Sequence, residues 1–254
     1  MNCHNMRTEL NEPPAGLTKR SLTMNELNPI YTRSTTQVIV KQNALIRQVY
    51  AWMGAGLAIT AFMALVTLSS PAILNAVIGN KLVFYGLIIG ELALVFTLSG
   101  AINRLSATTA TLIFITYSAL NGVTLSAVFL AYTANSITST FVITAGMFGA
   151  MSVYGYLTKS DLTSWGSFLF MGLIGVVIAS VVNIFVGSSA VSWVVSVIGV
   201  IVFTGLTAYD TWKIKEMAAQ GTEGRKPAIL GALTLYLDFI NLFLMLLRFT
   251  GNRR

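Results

Sequence analysis

Charge is what this sequence has least of. Of its 254 residues only 10% are Asp, Glu, Lys or Arg, while 55% are hydrophobic. An ordinary soluble domain carries about a quarter charged residues. Residues 105–158 form a run of 54 without a single charge, and residues 162–209 a run of 48. A membrane span needs about 20 apolar residues, so each run holds two spans and a turn. A soluble core is excluded, and a polytopic, all-α integral membrane protein is expected.

Sulfur and imidazole are nearly missing as well. Cys3 is the one cysteine and His4 the one histidine. An intrachain disulfide and a Cys/His zinc site are both excluded. The N-terminal stretch has no apolar core of a signal peptide, so the first span is expected to serve as the insertion signal. The formal net charge is +7, but the cations cluster in the tail and in short loops. That is the pattern of orientation signals, which argues against nucleic-acid binding.

What is present divides into two parts. Residues 1–41 are polar, contain Pro13, Pro14 and Pro29, and are expected to form a disordered cytoplasmic tail. Residues 42–254 are expected to form the membrane domain. Its spans are placed at about 46–68, 82–99, 107–131, 137–157, 165–186, 190–211 and 228–247, with a charged loop over 212–227. Lys19, Arg20, Arg33, Lys41 and Arg47 precede the first span. Arg104, Lys159, Lys213, Lys215, Arg225 and Lys226 fall on the same side, which is therefore expected to be cytoplasmic. Arg248, Arg253 and Arg254 then fall outside, so the last segment is either held across by its neighbours or re-entrant. Gly86/Gly90, Gly146/Gly149 and Gly172/Gly175 read as close-packing positions between helices. Asn121, Thr124 and Asn183 read as interhelical hydrogen-bond donors.

Two carboxylates interrupt otherwise apolar spans. Asp210 closes Val200-Ile201-Val202-Phe203-Thr204-Gly205-Leu206-Thr207-Ala208-Tyr209, and Asp238 sits within Leu235-Tyr236-Leu237-Asp238-Phe239-Ile240-Asn241. A charge at bilayer depth costs about 2.5–3.5 kcal/mol on insertion scales, so such residues mark function by default. The last two spans are joined by a short loop and should be antiparallel neighbours. That brings the two carboxylates to similar depth, where they would titrate as a pair and share one proton. Arg104 is the candidate latch for an ionised Asp210. Glu91 is a third ionisable group at membrane depth, paired either with Arg248 or with a polar neighbour. Asn241, three residues after Asp238, shares its face. With Tyr236 and Tyr209, it is a candidate to line a pathway.

At these residues the chain resembles the Bax inhibitor family, the transmembrane Bax-inhibitor-motif proteins, and their bacterial inner-membrane branch in particular. The most specific stretches are Gly205-Leu206-Thr207-Ala208-Tyr209-Asp210-Thr211 with Ile214-Lys215, and Ala232 through Leu244 to Arg248. The resemblance implies a seven-helix bundle whose last helix is central. It also implies a pH-dependent calcium leak gated by paired aspartates, here Asp210 and Asp238. Calcium is then the transported ion, held weakly and transiently at the two aspartates, and no cofactor is expected.

Two other classes compete. One is a membrane interaction protein that modulates a quality-control protease or another membrane partner, as the resemblance also allows. The other is an intramembrane aspartyl protease, for which Tyr209-Asp210 would be one element. The glycine-x-glycine-aspartate element is absent, since Leu235-Tyr236-Leu237 precedes Asp238, so no enzyme is expected. A retinal protein is excluded because 228–247 holds no lysine.

Overall fold

The computed structural model describes residues 24–253, with side chains from residue 42 onward. Residues 1–23, with Cys3, His4, Lys19 and Arg20, lie outside the described residues, as do the side chains of Arg33 and Lys41. The chain divides into a unit Met1–Val40, helical from Met24, and a unit Lys41–Arg254 that holds all the spans.

Among the described residues there are eight helices: α1 Met24–Ser69, α2 Pro71–Ile78, α3 Lys81–Ala101, α4 Ala107–Ala131, α5 Ala134–Leu157, α6 Thr163–Val186, α7 Ser189–Ala219 and α8 Arg225–Thr250. Seven are long and apolar enough to cross a membrane, with α1 contributing Gln42–Ser69. Small hydroxyl and amide side chains start four of them. Asn80 accepts from the backbone of Leu82 and Val83, Ser106 from Thr109, Thr133 from Ser136 and Ser188 from Val191. Each satisfies an amide that has no intrahelical partner, which is why the breaks between spans need so few residues.

The architecture is the expected all-α membrane bundle, and α8 is its axis. Of the most apolar stretch of α8, 72% is buried within the protein, against 11–44% for the other six spans. It packs on α3, α4, α5 and α7. Tyr236, Ile229, Leu233, Leu235 and Leu242 of this helix have no more than 1% of their surface exposed. It is a single unbroken helix of 26 residues, long and apolar enough to cross a membrane, without the break of a re-entrant hairpin.

Three expectations change. Between the first two spans the chain forms the short helix α2, started by Pro71 with Ser70 as its cap. The expected loop over 212–227 is mostly helix, because α7 continues unbroken to Ala219 and α8 begins at Arg225. The turn closes on Gly221 and Gly224, whose φ of 87° and 105° favour glycine.

The glycine assignment changes most. A Cβ on Gly86, Gly90, Gly146, Gly149 or Gly175 would meet nothing within 4 Å, so these face outward. The helices approach closely at other glycines. A Cβ on Gly122 would strike the carbonyl of Thr60, and one on Gly155 the carbonyl of Ala208. Gly172 alone of the predicted set packs tightly, against Val202.

Candidate functional site

Asp210 lies between one and two turns past the middle of α7, and Asp238 lies halfway along α8. The tight turn over 220–224 sets these helices antiparallel. Their side chains come within hydrogen-bonding contact of each other. Asp238 is only 4% exposed, and its Oδ2 has no hydrogen-bond partner. Asp210 is half-buried. Two carboxyl groups in such contact need a proton between them, because two bare carboxylates can only repel.

Both aspartates open onto a cavity of about 500 Å3 between α6, α7 and α8. Its polar lining comes from Ser167 on α6, from Tyr209 and Lys213 on α7, and from Thr234 and Asn241 on α8. Thr234, Asp238 and Asn241 are spaced four and three residues apart, so they form one stripe along α8. Asn241 donates through Nδ2 to the Leu237 carbonyl at 2.8 Å, which leaves its Oδ1 for the cavity. Phe170, Leu173, Phe203 and Leu206 form the apolar wall. Gly166 of α6 is what lets the Tyr209 ring lie against the helix backbone, since a Cβ there would collide with the ring.

The predicted residues do not all meet at this cavity. Tyr209 and Asn241 line it. Tyr236 does not, because its hydroxyl is committed elsewhere. Arg104 is exposed in the turn after α3, and among the described residues it forms no ion pair with either aspartate. The cation beside the pair is Lys213, three residues after Asp210 on the same face. It acts on the charge of Asp210 and stands 5.8 Å from the centre of the Tyr209 ring. The sequence places Lys213 within a turn of Asp210, and the continuation of α7 to Ala219 fixes its direction.

Glu91 and Tyr236 belong to a second polar cluster. Glu91 of α3 is buried and accepts from Thr124 Oγ1 at 2.8 Å and from Asn121 Nδ2 at 3.3 Å, both on α4. Arg248 is exposed near the far end of α8, so the polar-neighbour alternative holds for Glu91 and the Arg248 pairing does not. Tyr236 donates to Asn121 Oδ1 at 3.1 Å, and its oxygen lies 2.6 Å from Thr60 Oγ1 on α1. Four helices are tied together by these contacts. Asn183 also makes the expected interhelical bond, donating to Ser192 Oγ at 2.6 Å. Among the described residues no three His, Cys, Asp or Glu side chains are grouped to hold a metal ion. Two carboxylates suit brief contact with a hard cation rather than tight storage.

The comparisons with known proteins bear on the membrane unit. The family described as "Inhibitor of apoptosis-promoting Bax1" matches residues 42–254, the whole of the spanning region. The chain belongs to the Bax inhibitor family. It is 58% identical over 212 residues to the inner membrane protein YbhL of Escherichia coli K12, covering 82% of this chain and 91% of YbhL. It is 47% identical over 227 residues to an uncharacterized protein of Borreliella burgdorferi, covering 88% and 97% of the two chains. A protein of Deinococcus radiodurans, likewise uncharacterized, is 43% identical over 232 residues, with 87% and 99% covered. The paired aspartates and their cavity lie wholly within the family region.

Proposed function

We propose that this Bax inhibitor family protein is a pH-sensitive leak pathway for cations, calcium above all, gated by the proton shared between Asp210 and Asp238. The observation that carries the reading is the contact of these two carboxyls on a cavity between α6, α7 and α8 that has further polar side chains in its lining. With the proton in place, α7 and α8 are held together across the pair. Its loss leaves two like charges in contact and drives the helices apart. The freed carboxylates are then hard oxygen ligands for a passing divalent ion. Thr234, Ser167 and Asn241 supply further oxygens along the same wall. Lys213 at the cavity takes the place assigned to Arg104 as the cation that answers an ionised Asp210.

The excess of Lys and Arg at one end of the bundle, together with likeness to an inner membrane protein, supports a multi-pass protein of the bacterial inner membrane with its N-terminus in the cytoplasm. A second reading, contact with a membrane partner such as a quality-control protease, is favoured by α3. Its Gly86 and Gly90 present open backbone to the lipid, the form at which another membrane helix packs.

Flux of calcium into liposomes holding the purified full chain tests the gate. Flux should change with pH near neutrality in the wild type, and Asp210→Asn or Asp238→Asn should flatten that change. Wild-type pH dependence in both variants would overturn the reading. Flux measured in parallel with sodium and potassium defines the selectivity.

A further inference from the structure

Away from the aspartates, two cavities lie along the seam where α1 passes α5. One, of about 400 Å3, is bounded by Asn43, Arg47 and Tyr50 of α1 and by Gly149, Ser152 and Tyr156 of α5. The other, of about 540 Å3, is bounded by Gly54, Ala58 and Ala61 of α1 and by Thr138 and Phe141 of α5, and Phe239 and Ile240 of α8 also line it. On α1 the lining positions advance by three or four residues from 43 to 61, and on α5 they fall at 138 and 141 for one cavity and, two turns on, at 149, 152 and 156 for the other. Each set is therefore one helix face. The two cavities thus lie in line along one seam, which runs about 27 Å from Asn43 to Ala61 at about 1.5 Å per residue.

The ends differ in chemistry. At the first, the Arg47 side chain is exposed, and Tyr156 donates its hydroxyl hydrogen to Asn43 Oδ1 at 2.5 Å. Ser152 is 7% exposed, and its Oγ is buried there without a hydrogen-bond partner. Lys215 lies behind this end, donating to the carbonyls of Thr158 at 2.8 Å and Tyr156 at 3.2 Å and pairing with Glu216 at 4.0 Å, which leaves Arg47 as the cation of the lining. Asp161, a carboxylate in the loop beyond α5, is engaged by the backbone and side chain of Thr163. The second end is hydrocarbon and aromatic. Thr60, one of its two hydroxyl residues, is already bonded to the Ser118 carbonyl at 2.8 Å. Between the ends, Gly54 and Gly149 have nothing within 4 Å of where a Cβ would stand, so the seam stays open there.

A cationic, hydrogen-bonding mouth at the helix ends, leading into a long apolar trough, complements one kind of molecule in a membrane. Basic pockets between spans are the general form of sites for anionic headgroups. We infer that the α1–α5 groove holds one anionic phospholipid. Its phosphate headgroup sits at Arg47 and the side-chain amide of Asn43, whose Oδ1 is held by Tyr156. An ester carbonyl accepts from Ser152, and an acyl chain lies along Ala58, Phe141 and Phe239. The site is distinct from the aspartate cavity and stands whether or not the aspartates gate a leak.

Native mass spectrometry of the full chain, released from vesicles of phosphatidylglycerol and phosphatidylcholine in equal amounts, tests this. One phosphatidylglycerol per chain should be retained in preference to phosphatidylcholine. Arg47→Gln should lower that retention about fivefold, the worth of one cation at the membrane surface. Ala58→Phe should lower it by plugging the trough without touching charge. Both positions are exposed, and an unchanged unfolding temperature identifies folded variants. Should a variant misfold, the wild-type competition between the two lipids decides alone. Equal retention of the two lipids overturns the inference, because the groove would then take hydrocarbon without reading a headgroup. Unchanged retention in both folded variants overturns it as well, because the lipid would then sit elsewhere.

Discussion

Tyr236 and Asp238 stand two residues apart on α8 and face opposite sides of it. Two residues turn a helix by about 200°. Tyr236 therefore points to Thr60 and Asn121, while Asp238 points to Asp210 and the cavity. The central helix thus separates a closed polar cluster, which ties α1, α3 and α4 to it, from an open one shared with α6 and α7.

That separation predicts different phenotypes from the two sides. Tyr236→Phe leaves Asn121 Oδ1 without its donor and should destabilise the bundle by about 1 kcal/mol, within the range for interhelical bonds in membranes. The pH dependence of any flux should keep its midpoint. Unfolding in mixed detergent, read beside liposome flux, checks both halves of the statement.

On the other side, the two aspartates act through one proton. Asp210→Asn and Asp238→Asn should each remove most of the pH response, and the double variant should remove little more than either alone. Residues that form a unit are not additive. A double variant whose effect equals the sum of the two single effects would mean that each carboxyl titrates on its own.

The two groups of glycines should also part. Gly155→Ala drives a methyl group into the backbone carbonyl of Ala208, where α5 meets α7. It should cost about 1–3 kcal/mol, the usual penalty of overpacking. Gly146→Ala meets open space and should be neutral or slightly stabilising, since alanine is the better helix former. Thermal unfolding of the two variants, side by side, measures the contrast.

Lys215 fastens the end of α5 to α7. Its ammonium donates to the carbonyls of Tyr156 and Thr158, and Gln42 of α1 donates to the Lys215 carbonyl at 3.5 Å. Lys215→Met should cost about 1–2 kcal/mol, the range of hydrogen bonds from a charged donor at a partly covered site. Amide exchange should quicken over the last turn of α5 and leave α4 unchanged.

In the loop between α5 and α6, the hydrogen bonds from Thr163 hold the Asp161 carboxyl below its ordinary value of 3.8. A carboxylate lowered on folding adds stability above its unfolded pKa and loses it as pH falls through the folded value. Stability should therefore decline on the acid side of about pH 4, and Asp161→Asn should erase that part of the decline. Unfolding temperatures between pH 3 and 6 would show the two curves converging at low pH.

The spans were legible in the sequence because a bilayer tolerates so few alternatives. Uncharged runs of 54 and 48 residues can only fold back on themselves. The nearness of Asp210 and Asp238 followed from the same logic, because a short connection between two spans forces them side by side. The directions of side chains were harder to read. In a helix that is apolar all round, periodicity does not separate the face toward lipid from the face toward protein. That is why Gly86 and Gly90 read as packing positions while Gly122 and Gly155 went unnoticed. Arg104 was assigned from its place in a loop, and a loop does not fix where a long side chain points. Lys213 lies within a turn of Asp210 in the sequence itself, but its direction is fixed only by the eight further residues over which α7 runs on.

That continuation has a mechanical meaning. α7 is one rigid rod from Ser189 to Ala219, with Asp210 nine residues from its outer end. At about 1.5 Å per residue the rod continues about 14 Å past the aspartate. It passes there without a proline or a glycine to act as a hinge. A displacement of the helix at Asp210 would therefore be passed through Lys215 to the last turn of α5 and to Gln42 of α1, so that the three helices would have to shift in concert.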